Sequence, residues 1–277
     1  MWKTVVSTIA AVLAAAAVTA YGYGNLVASY PSPAVYPNGL GYVDDTRMVC
    51  TTDPPSAPKY AFFLNRTTGS MAGSFSTGTS DIQIRGCDAG PYDLSGRYIW
   101  VAYEYGSSDN MIARYTTTGS FISQFYAPST SPIGIGVYAR SGTSYLYYTD
   151  AGNARLYRLH PTNGSVYASY QLPFVPGDLA YDSDHDCLWI AGTMVNRVYQ
   201  TTLTASIVGS FGTPTGNPRG VGYEPDRGYL WVGESTTVSA TSGFANETRL
   251  IATGRSNTFD LPTVNSSFWT SRCSPAP

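Results

Sequence analysis

The 277-residue chain carries 16 basic and 18 acidic residues, so its formal net charge is −2 and only 12% of its residues are charged. Lys3 and Lys59 are the only lysines, and no basic run or stripe could hold a polyphosphate backbone. The composition therefore argues against nucleic-acid binding, while the length allows one large domain or two small ones.

The chain opens with a segment that is typical of a secretory leader. Lys3 precedes an apolar run of mostly small residues, which ends in the cleavage-site pattern Val18-Thr19-Ala20. This run is short of the ~20 strongly apolar residues that a spanning helix needs, and most of it is alanine. We expect residues 1–20 to be a signal peptide, with no membrane span after cleavage. The mature protein is then secreted and extracellular, with the periplasm or the cell surface as further destinations.

An internal repeat organises the rest of the chain. A short element recurs as "GNLVASY", "GSMAGSF", "GSFISQF", "GSVYASY" and "ASIVGSF", starting at residues 24, 69, 119, 164 and 205. Between its copies lie a small-residue strand, an aromatic strand and a third strand, with Gly, Asp, Asn and Pro at the breaks. The clearest match joins "GDLAYDSDHDCLWIAG" at 177–192 with "RGVGYEPDRGYLWVGE" at 219–234.

Four strands in roughly 40–50 residues, repeated along the chain, indicate a β-propeller. Five first strands predict an all-β fold of five four-stranded blades over residues 21–255, and six blades are the alternative. The first strands carry small residues where a central axis would crowd them: Gly39, Gly41, Gly134, Gly136, Ala180, Gly220 and Gly222.

The two ends of the chain are predicted to play different parts. The element at 24–30 precedes every first strand, so we expect this N-terminal strand to complete the last blade and close the ring. Residues 256–277 form a C-terminal extension, with room for a last outer strand and a tail.

The repeats resemble those of the broad NHL/YVTN-like class of secreted bacterial β-propellers. The likeness is carried by "LAYDSDHDCLWIAG", "VGYEPDRGYLWVGE" and "YLYYTDAGNARLYRL", and it covers about residues 25–255. It implies a scaffold and no activity, because the class includes lactonases, lyases, glutaminyl cyclases and proteins that only bind.

The enzymatic members of that class can be compared with this sequence. The EGWG and NELE strings of glutaminyl cyclases are absent from the chain. Regucalcin-like lactonases hold a metal with acidic residues in the channel, where this chain offers mainly Gly, Ala, Val and Tyr, although Asp88 and Asp178 lie near strand starts. Virginiamycin-type lyases need a histidine, and neither His160 nor His185 falls at a predicted channel position.

Loops that follow the second strands of a propeller gather around the mouth of the channel, where ligands usually bind. The candidate ligand-binding residues in these loops are Tyr103, Tyr105, Asp109, Asn110, Asp150, Asn153, Asn196, Arg197 and Glu234. They suit an extracellular glycan, peptide or protein. The alternative is structural, since Asn and Asp cap tight turns and Arg packs against neighbouring blades.

The stretch "YDSDHDCLW" at 181–189 has the composition of a metal site. Asp182, Asp184 and Asp186 show the spacing that opens a calcium loop, but Cys187 stands where such a loop needs glycine. The repeat places the stretch in the turn between a first and a second strand, with Asp184 as the predicted cap. We predict no metal and no cofactor, and structural calcium has no support.

Four cysteines in an exported protein permit two disulfides. Cys50–Cys87 is the favoured pair because adjacent blades would bring the two together, and Cys187–Cys273 would then tie the tail to the fourth blade. Buried free thiols are the alternative. Four sequons, at Asn65, Asn163, Asn246 and Asn265, are candidate glycosylation sites.

No GxSxG, HExxH or phosphate-binding glycine loop occurs in the sequence. The sequence therefore favours a secreted, non-catalytic propeller that binds a glycan, peptide or protein. Two alternatives stay open: a structural subunit that self-assembles into an extracellular layer or fibre, and a metal-assisted hydrolase or lyase with its site in the central channel.

Overall fold

The computed structural model describes residues 22–34, 36–53, 59–78, 82–91, 96–105, 109–213, 216–235 and 248–256. In these ranges the chain forms β-strands and turns, without an α-helix. No helix long and apolar enough to cross a membrane occurs in this part of the chain. The predicted leader, residues 1–20, and the tail from residue 257 onward lie outside the described residues.

The strands form antiparallel sheets of four. The N-terminal strand is β1 (Gly22–Pro31). One sheet contains β2 (Pro37–Tyr42), β3 (Arg47–Thr52), β4 (Lys59–Asn65) and β5 (Met71–Gly78). The next contains β6 (Gln83–Pro91), β7 (Arg97–Glu104), β8 (Met111–Thr116) and β9 (Phe121–Tyr126). The third contains β10 (Pro132–Arg140), β11 (Thr143–Asp150), β12 (Arg155–Leu159) and β13 (Val166–Gln171). The fourth contains β14 (Pro176–Asp182), β15 (Cys187–Gly192), β16 (Arg197–Thr201) and β17 (Ile207–Gly212).

These four sheets are blades of four consecutive strands each, whereas five blades are expected from the sequence. The remaining sheet is built differently. It has the order β1-β20-β19-β18, with β18 (Pro218–Glu224), β19 (Tyr229–Ser235) and β20 (Thr248–Ser256). Its outer strand comes from the other end of the chain, since Ser29 pairs with Ile251. The prediction that the element at 24–30 is an outer strand joined to the last unit is confirmed.

The first strands of the sheets surround a common axis. β2, β6, β10, β14 and β18 contact one another in that order, and β18 returns to contact β2. A methyl group on Gly41 would lie 2.6 Å from the Cα atom of Asp88, and one on Gly134 would lie 2.6 Å from that of Asp178. The small residues of the first strands therefore serve close approach between neighbouring strands, as the sequence predicts.

The apolar core lies between neighbouring blades. In one cluster Val49 and Phe63 of the first blade meet Ile99 and Tyr115 of the second. Burial of these large side chains favours the packed ring over separate sheets, since each fully buried aliphatic or aromatic residue contributes about 1.5–3 kcal/mol. The result is an all-β, propeller-like ring of antiparallel four-stranded sheets.

Candidate functional site

The ring has two ends, which differ in the strand connections that they carry. We call one end the hairpin face, because each first strand ends there and each second strand begins there. Tyr42 at the end of β2, for example, pairs there with Met48 at the start of β3. At the loop face each second strand ends and each third strand begins, as where Asp150 pairs with Arg155. The candidate residues of the sequence belong to the loop face, and the stretch 181–189 turns at the hairpin face.

A cavity of about 240 Å³ opens at the hairpin face. Its walls are the ends of the first strands and the turns that follow them, formed by Tyr42, Asp88, Ala89, Gly90, Pro91, Arg97, Val137, Ala139, Tyr181, Ser183, Tyr223 and Pro225. A second cavity, of about 410 Å³, is lined by Tyr42, Asp44, Asp45, Thr46 and Arg97. The two cavities share Tyr42 and Arg97, and we call them together the axial pocket.

Three tyrosines of the axial pocket have fixed hydroxyl groups. Tyr42 donates to Oδ1 of Asp45 over 2.9 Å. The hydroxyl of Tyr181 donates to Oδ1 of Asp186 over 2.8 Å, within one hairpin.

The third tyrosine makes its contact across two sheets. Tyr223 donates to Oδ2 of Asp184 in the neighbouring blade over 2.9 Å. Because all three hydroxyl groups are held, the three rings have little rotational freedom and form preset aromatic walls.

Asp88 is the buried carboxyl of the axial pocket and is only 6% exposed. Its Oδ2 accepts the N–H of Val137 over 2.8 Å, and its Oδ1 accepts the N–H of Ala89 over 2.7 Å. Burial raises the pKa of Asp88 to about 7, although both N–H groups and the charge of Arg97 act in the opposite direction. The carboxyl group is therefore poised to change its protonation state near neutral pH.

Arg97 supplies the positive charge of the axial pocket. Its Nη2 donates to the backbone oxygens of Tyr42 over 2.6 Å and Ala89 over 3.1 Å, and its guanidinium lies 5.0 Å from the centroid of the Tyr42 ring. Burial lowers the pKa of Arg97, and the charge of Asp88 partly offsets that effect. Its Nε is a buried atom without a hydrogen-bond partner among the described residues.

Asp178 occupies the channel as a structural group. It is fully buried, and its carboxyl oxygens accept the N–H groups of Leu40, Ile135 and Val221, each over 3.1 Å. These donors belong to the first strands of three other sheets, so one side chain links four of the strands around the axis. Burial raises the pKa of Asp178 well above its ordinary value, while the three N–H groups lower it.

The stretch 181–189 holds its turn through a different residue from the one expected. Asp182, which is fully buried, accepts the N–H groups of Asp184 and His185 and also bonds Nδ1 of His185 and Nε1 of Trp189. Oδ2 of Asp184 accepts from the hydroxyl of Tyr223 in the next sheet. The side chain that accepts the N–H groups of the turn is Asp182, two residues before the predicted cap.

The hydrogen bond between a carboxylate and an indole N–H recurs in the next repeat. Glu224 lies 42 residues after Asp182, accepts from Nε1 of Trp231 over 2.8 Å, and also pairs with Arg227 and Arg66. A carboxylate at the end of the first strand thus receives the indole N–H of the second strand in both units. No group of three or more His, Cys, Asp or Glu side chains suited to a metal occurs in the described part of the chain.

Four of the nine candidate residues at the loop face are buried. They are Tyr103, Asn110, Asp150 and Glu234. Tyr103 shares a hydrogen bond with the hydroxyl of Tyr115, while Asn110 bonds the N–H of Tyr105 and the backbone oxygen of Ser129. Asp150 accepts the N–H groups of Gly152 and Asn153, as a turn cap does.

The other five candidate residues are exposed at the surface. They are Tyr105, Asp109, Asn153, Asn196 and Arg197. Asn196 accepts the N–H of Asn217 over 2.8 Å, and Arg197 donates to the hydroxyl of Ser210 over 3.1 Å. His160, in the β12–β13 turn, accepts the N–H of Thr162, as expected of a turn histidine.

The cysteines correct one prediction. Cys50 and Cys87 are buried thiols with no disulfide between them, since Cys87 packs between the first two blades whereas Cys50 packs in the cluster that holds Trp231 of the last sheet. The thiol of Cys50 faces the backbone oxygen of Thr51, and that of Cys87 faces the backbone oxygen of Val49. Burial raises the pKa of both thiols, and the charge of Asp178 adds to the effect, so both side chains behave as packed neutral groups.

The second predicted disulfide and the four sequons include residues that lie outside the described ranges. Cys187 is buried and its Sγ accepts from Nε2 of Gln200, while Cys273 lies outside the described residues, so their pairing stays a prediction. Asn65 and Asn163 accept backbone N–H groups in third-to-fourth-strand turns. Asn246 and Asn265 lie outside the described residues, and glycosylation stays a prediction at all four sites.

The axial pocket is the feature that sequence reasoning missed. Tyr42, Tyr181 and Tyr223 stand at equivalent positions of three repeats, which the sequence alone shows. One signal could have found the pocket: each of these tyrosines stands at the end of a first strand, and the ends of first strands meet around the axis. Arg97 gave no such signal, because it reaches the pocket from the start of a second strand.

Comparisons with known proteins support the fold. No protein-family model matches the chain, and no curated protein matches its sequence. Glutaminyl cyclase from Myxococcus xanthus has a similar structure, with a TM-score of 0.60, 12% identity, and coverage of 83% of this chain and 95% of that one. The PQQ-bound aldose sugar dehydrogenase from Streptomyces coelicolor gives a TM-score of 0.55, with 12% identity over 85% of this chain and 98% of that one.

A calcium-binding protein, regucalcin from Agrobacterium tumefaciens, gives a TM-score of 0.51, with 13% identity over 78% of this chain and 76% of that one. Identities this low show a shared fold and no shared activity. Together with the ring of sheets, they confirm that the chain is similar to β-propeller proteins at the level of the scaffold.

Proposed function

We propose that the protein is a secreted, non-catalytic β-propeller that binds the terminal sugar of a glycan in the axial pocket. One observation carries this proposal: three tyrosine rings with fixed hydroxyl groups surround a cavity that also holds one carboxyl and one guanidinium group. Aromatic walls with a few converging polar groups are the usual composition of a small-ligand site.

The chemistry of the pocket suits a sugar. A sugar ring has apolar C–H faces, which pack on the rings of tyrosines such as Tyr181, and hydroxyl edges, which need both acceptors and donors. Asp88 and Arg97 supply such groups beside the rings. The cavity of about 240 Å³ is smaller than the ~300–1,000 Å³ of drug-sized sites, so one ring would enter it and the next would lie in the adjoining cavity.

The number of blades in the ring is also part of the proposal. We infer that the sheet β1-β20-β19-β18 serves as the fifth blade, because β18 contacts both β14 and β2 and contributes Tyr223 to the pocket. The leader that the sequence predicts at residues 1–20 supports the proposal of secretion. The exposed loop-face residues Tyr105, Asp109, Asn153, Asn196 and Arg197 remain proposed contacts for a peptide or protein partner.

A glycan array followed by titration calorimetry tests the binding function. Ser183 is exposed and lines the cavity, so Ser183→Trp should fill the pocket without disturbing the core. We expect Ser183→Trp to weaken binding of an array hit at least about tenfold, since about 1.4 kcal/mol of lost contact gives that factor. Ser206→Trp, at an exposed turn on another part of the fold, is the matched control and should bind as the wild type does. An array without hits, or a Ser183→Trp variant of unchanged affinity, would contradict the proposal.

A second candidate function is catalysis in the central channel, which the pKa of Asp88 favours. A carboxyl with a pKa of about 7 can act as a general acid or base near neutral pH. Incubation of each bound glycan with the protein, followed by mass spectrometry, separates the two functions. Turnover that Asp88→Asn abolishes would establish a hydrolase or lyase in place of a binding module.

A third candidate, the structural subunit, is favoured by the outer strands. Their sequences contain no charged residue, and they expose Met71, Tyr126, Tyr167 and Ile207. Uncharged edge strands are prone to pair with other strands.

A further inference from the structure

Among the described residues around the axial pocket, Arg97 forms no ion pair, although the charges of Asp88, Asp44 and Asp45 act on it. Other arginines near the hairpin face are paired, since Arg47 contacts Asp44, Arg66 contacts Asp226, Arg140 contacts Asp186 and Arg227 contacts Glu224. Arg97 lines both cavities of the axial pocket.

The guanidinium of Arg97 is held in place with donors to spare. Nη2 is bound to the backbone oxygens of Tyr42 and Ala89, and the Tyr42 ring covers one face of the group. Neither Nε nor Nη1 has a hydrogen-bond partner in the described part of the chain. A guanidinium that is fixed on one side and unused on the other is preorganised to bind a planar anion.

The charge of Asp88 raises the pKa of Arg97, but the two groups form no ion-pair contact in the described part of the chain. Each carboxyl oxygen of Asp88 already accepts a backbone N–H, from Val137 and from Ala89. A ligand carboxylate would satisfy the donors of Arg97 that have no partner among the described residues. Resting on the proposed glycan-binding function, we propose that the sugar in the axial pocket carries a carboxylate, as uronic acids do, and that Arg97 binds this carboxylate.

The groups that face Asp88 are compatible with an anion beside it. Arg97 on β7 is the cation, Val137 on β10 gives an N–H, and Tyr42 and Tyr181 present rings. Buried behind Asp88, on β14 and on its own strand, are the carboxyl of Asp178 and the thiol of Cys87, whose pKa values the charge of Asp88 raises.

The pH dependence follows with a definite sign. The pKa of Asp88 is about 7, so at pH 6 the carboxyl is mostly neutral and at pH 8 it is mostly ionised and repels a carboxylate. Affinity for an acidic sugar should therefore fall as pH rises through 7, by about fivefold to tenfold between pH 6 and pH 8. Affinity for a neutral sugar should stay nearly constant.

Calorimetry with two matched probes, methyl glucuronide and methyl glucoside, tests the inference, with the galacturonide and galactoside pair as a second set. We expect the wild type to bind one of the acidic sugars at least about tenfold more tightly than its neutral counterpart. Arg97→Gln should remove this preference, so that the variant binds the acidic and the neutral sugar with affinities within about twofold of each other. Arg155→Gln, which changes an arginine at the loop face, is the matched control.

The outcomes separate the two proposals. Binding of neutral sugars without an acidic preference overturns the carboxylate inference and leaves the glycan function standing. Binding of neither class overturns both. If Arg97→Gln fails to fold, the wild-type pH series decides, since equal pH profiles for the acidic and neutral probes also overturn the inference.

Discussion

At the scale of single residues, two buried aspartates near the axis have different roles. The two carboxyl oxygens of Asp178 accept hydrogen bonds from three backbone N–H groups, and the side chain is fully buried. Asp88 accepts two N–H groups and still borders the axial pocket. The first therefore holds strands together, and the second is available to a ligand.

The role of Asp178 leads to a stability prediction. Asp178→Ala leaves the N–H groups of Leu40, Ile135 and Val221 buried without their acceptor, and each such loss costs about 1–3 kcal/mol. We expect the free energy of unfolding, measured by urea denaturation with tryptophan fluorescence, to fall by at least about 3 kcal/mol. Asp109→Ala, at an exposed position, should change it by less than about 0.5 kcal/mol. A cost below about 1 kcal/mol for Asp178→Ala would show that the three bonds do not hold the ring.

At the scale of elements, the first strands are the part of the repeat under the strongest constraint. Gly41 packs against the backbone of β6, where the nearest atoms to an added methyl group are the Cα of Asp88 at 2.6 Å and the N of Ala89 at 2.7 Å. Backbone atoms cannot rotate away as the end of a side chain can. The sheets would have to separate to admit a larger residue.

A pair of glycine variants tests this constraint. Gly41→Ala should lower the free energy of unfolding by about 3 kcal/mol or more, the upper range for overpacking, because the clash is with backbone. Gly212→Ala is the control, since the nearest atom to its added methyl group is the backbone oxygen of Asn196 at 3.9 Å. Equal denaturation midpoints for the two variants would refute close approach at the axis.

Elements are also the scale at which sequence reasoning succeeded. The strands and the outer position of residues 24–30 follow from patterns within 50 residues, because alternation and turn residues are local. The axial pocket is not local. Asp178 meets Leu40 across 138 residues and Val221 across 43, and only the closed ring brings such strands together. The predicted disulfide between Cys50 and Cys87 is wrong, because the nearness of two strands does not determine the direction in which their thiols point.

At the scale of the whole molecule, the outer rim differs from the edges that proteins usually present to solvent. The sequences of β1, β5, β9, β13 and β17 contain no Lys, Arg, Asp or Glu, and each strand exposes large apolar side chains. Met71 is 62% exposed and Tyr126 is 67% exposed. Edge strands are commonly protected by charge, which is missing here.

We therefore expect the purified protein to self-associate through its rim as concentration rises. A triple variant, Met71→Lys, Tyr126→Lys and Ile207→Lys, places one charge on each of three outer strands, where like charges on facing edges oppose pairing. Sedimentation velocity should show larger species for the wild type and monomers for this variant. The control is Ser120→Lys, Thr143→Lys and Ser206→Lys, which adds the same charge at exposed positions that lie outside the outer strands themselves. If both triple variants dissolve the larger species alike, net charge and not the rim controls association. If the wild type stays monomeric at high concentration, the subunit function loses its physical basis and the axial pocket remains the site to pursue.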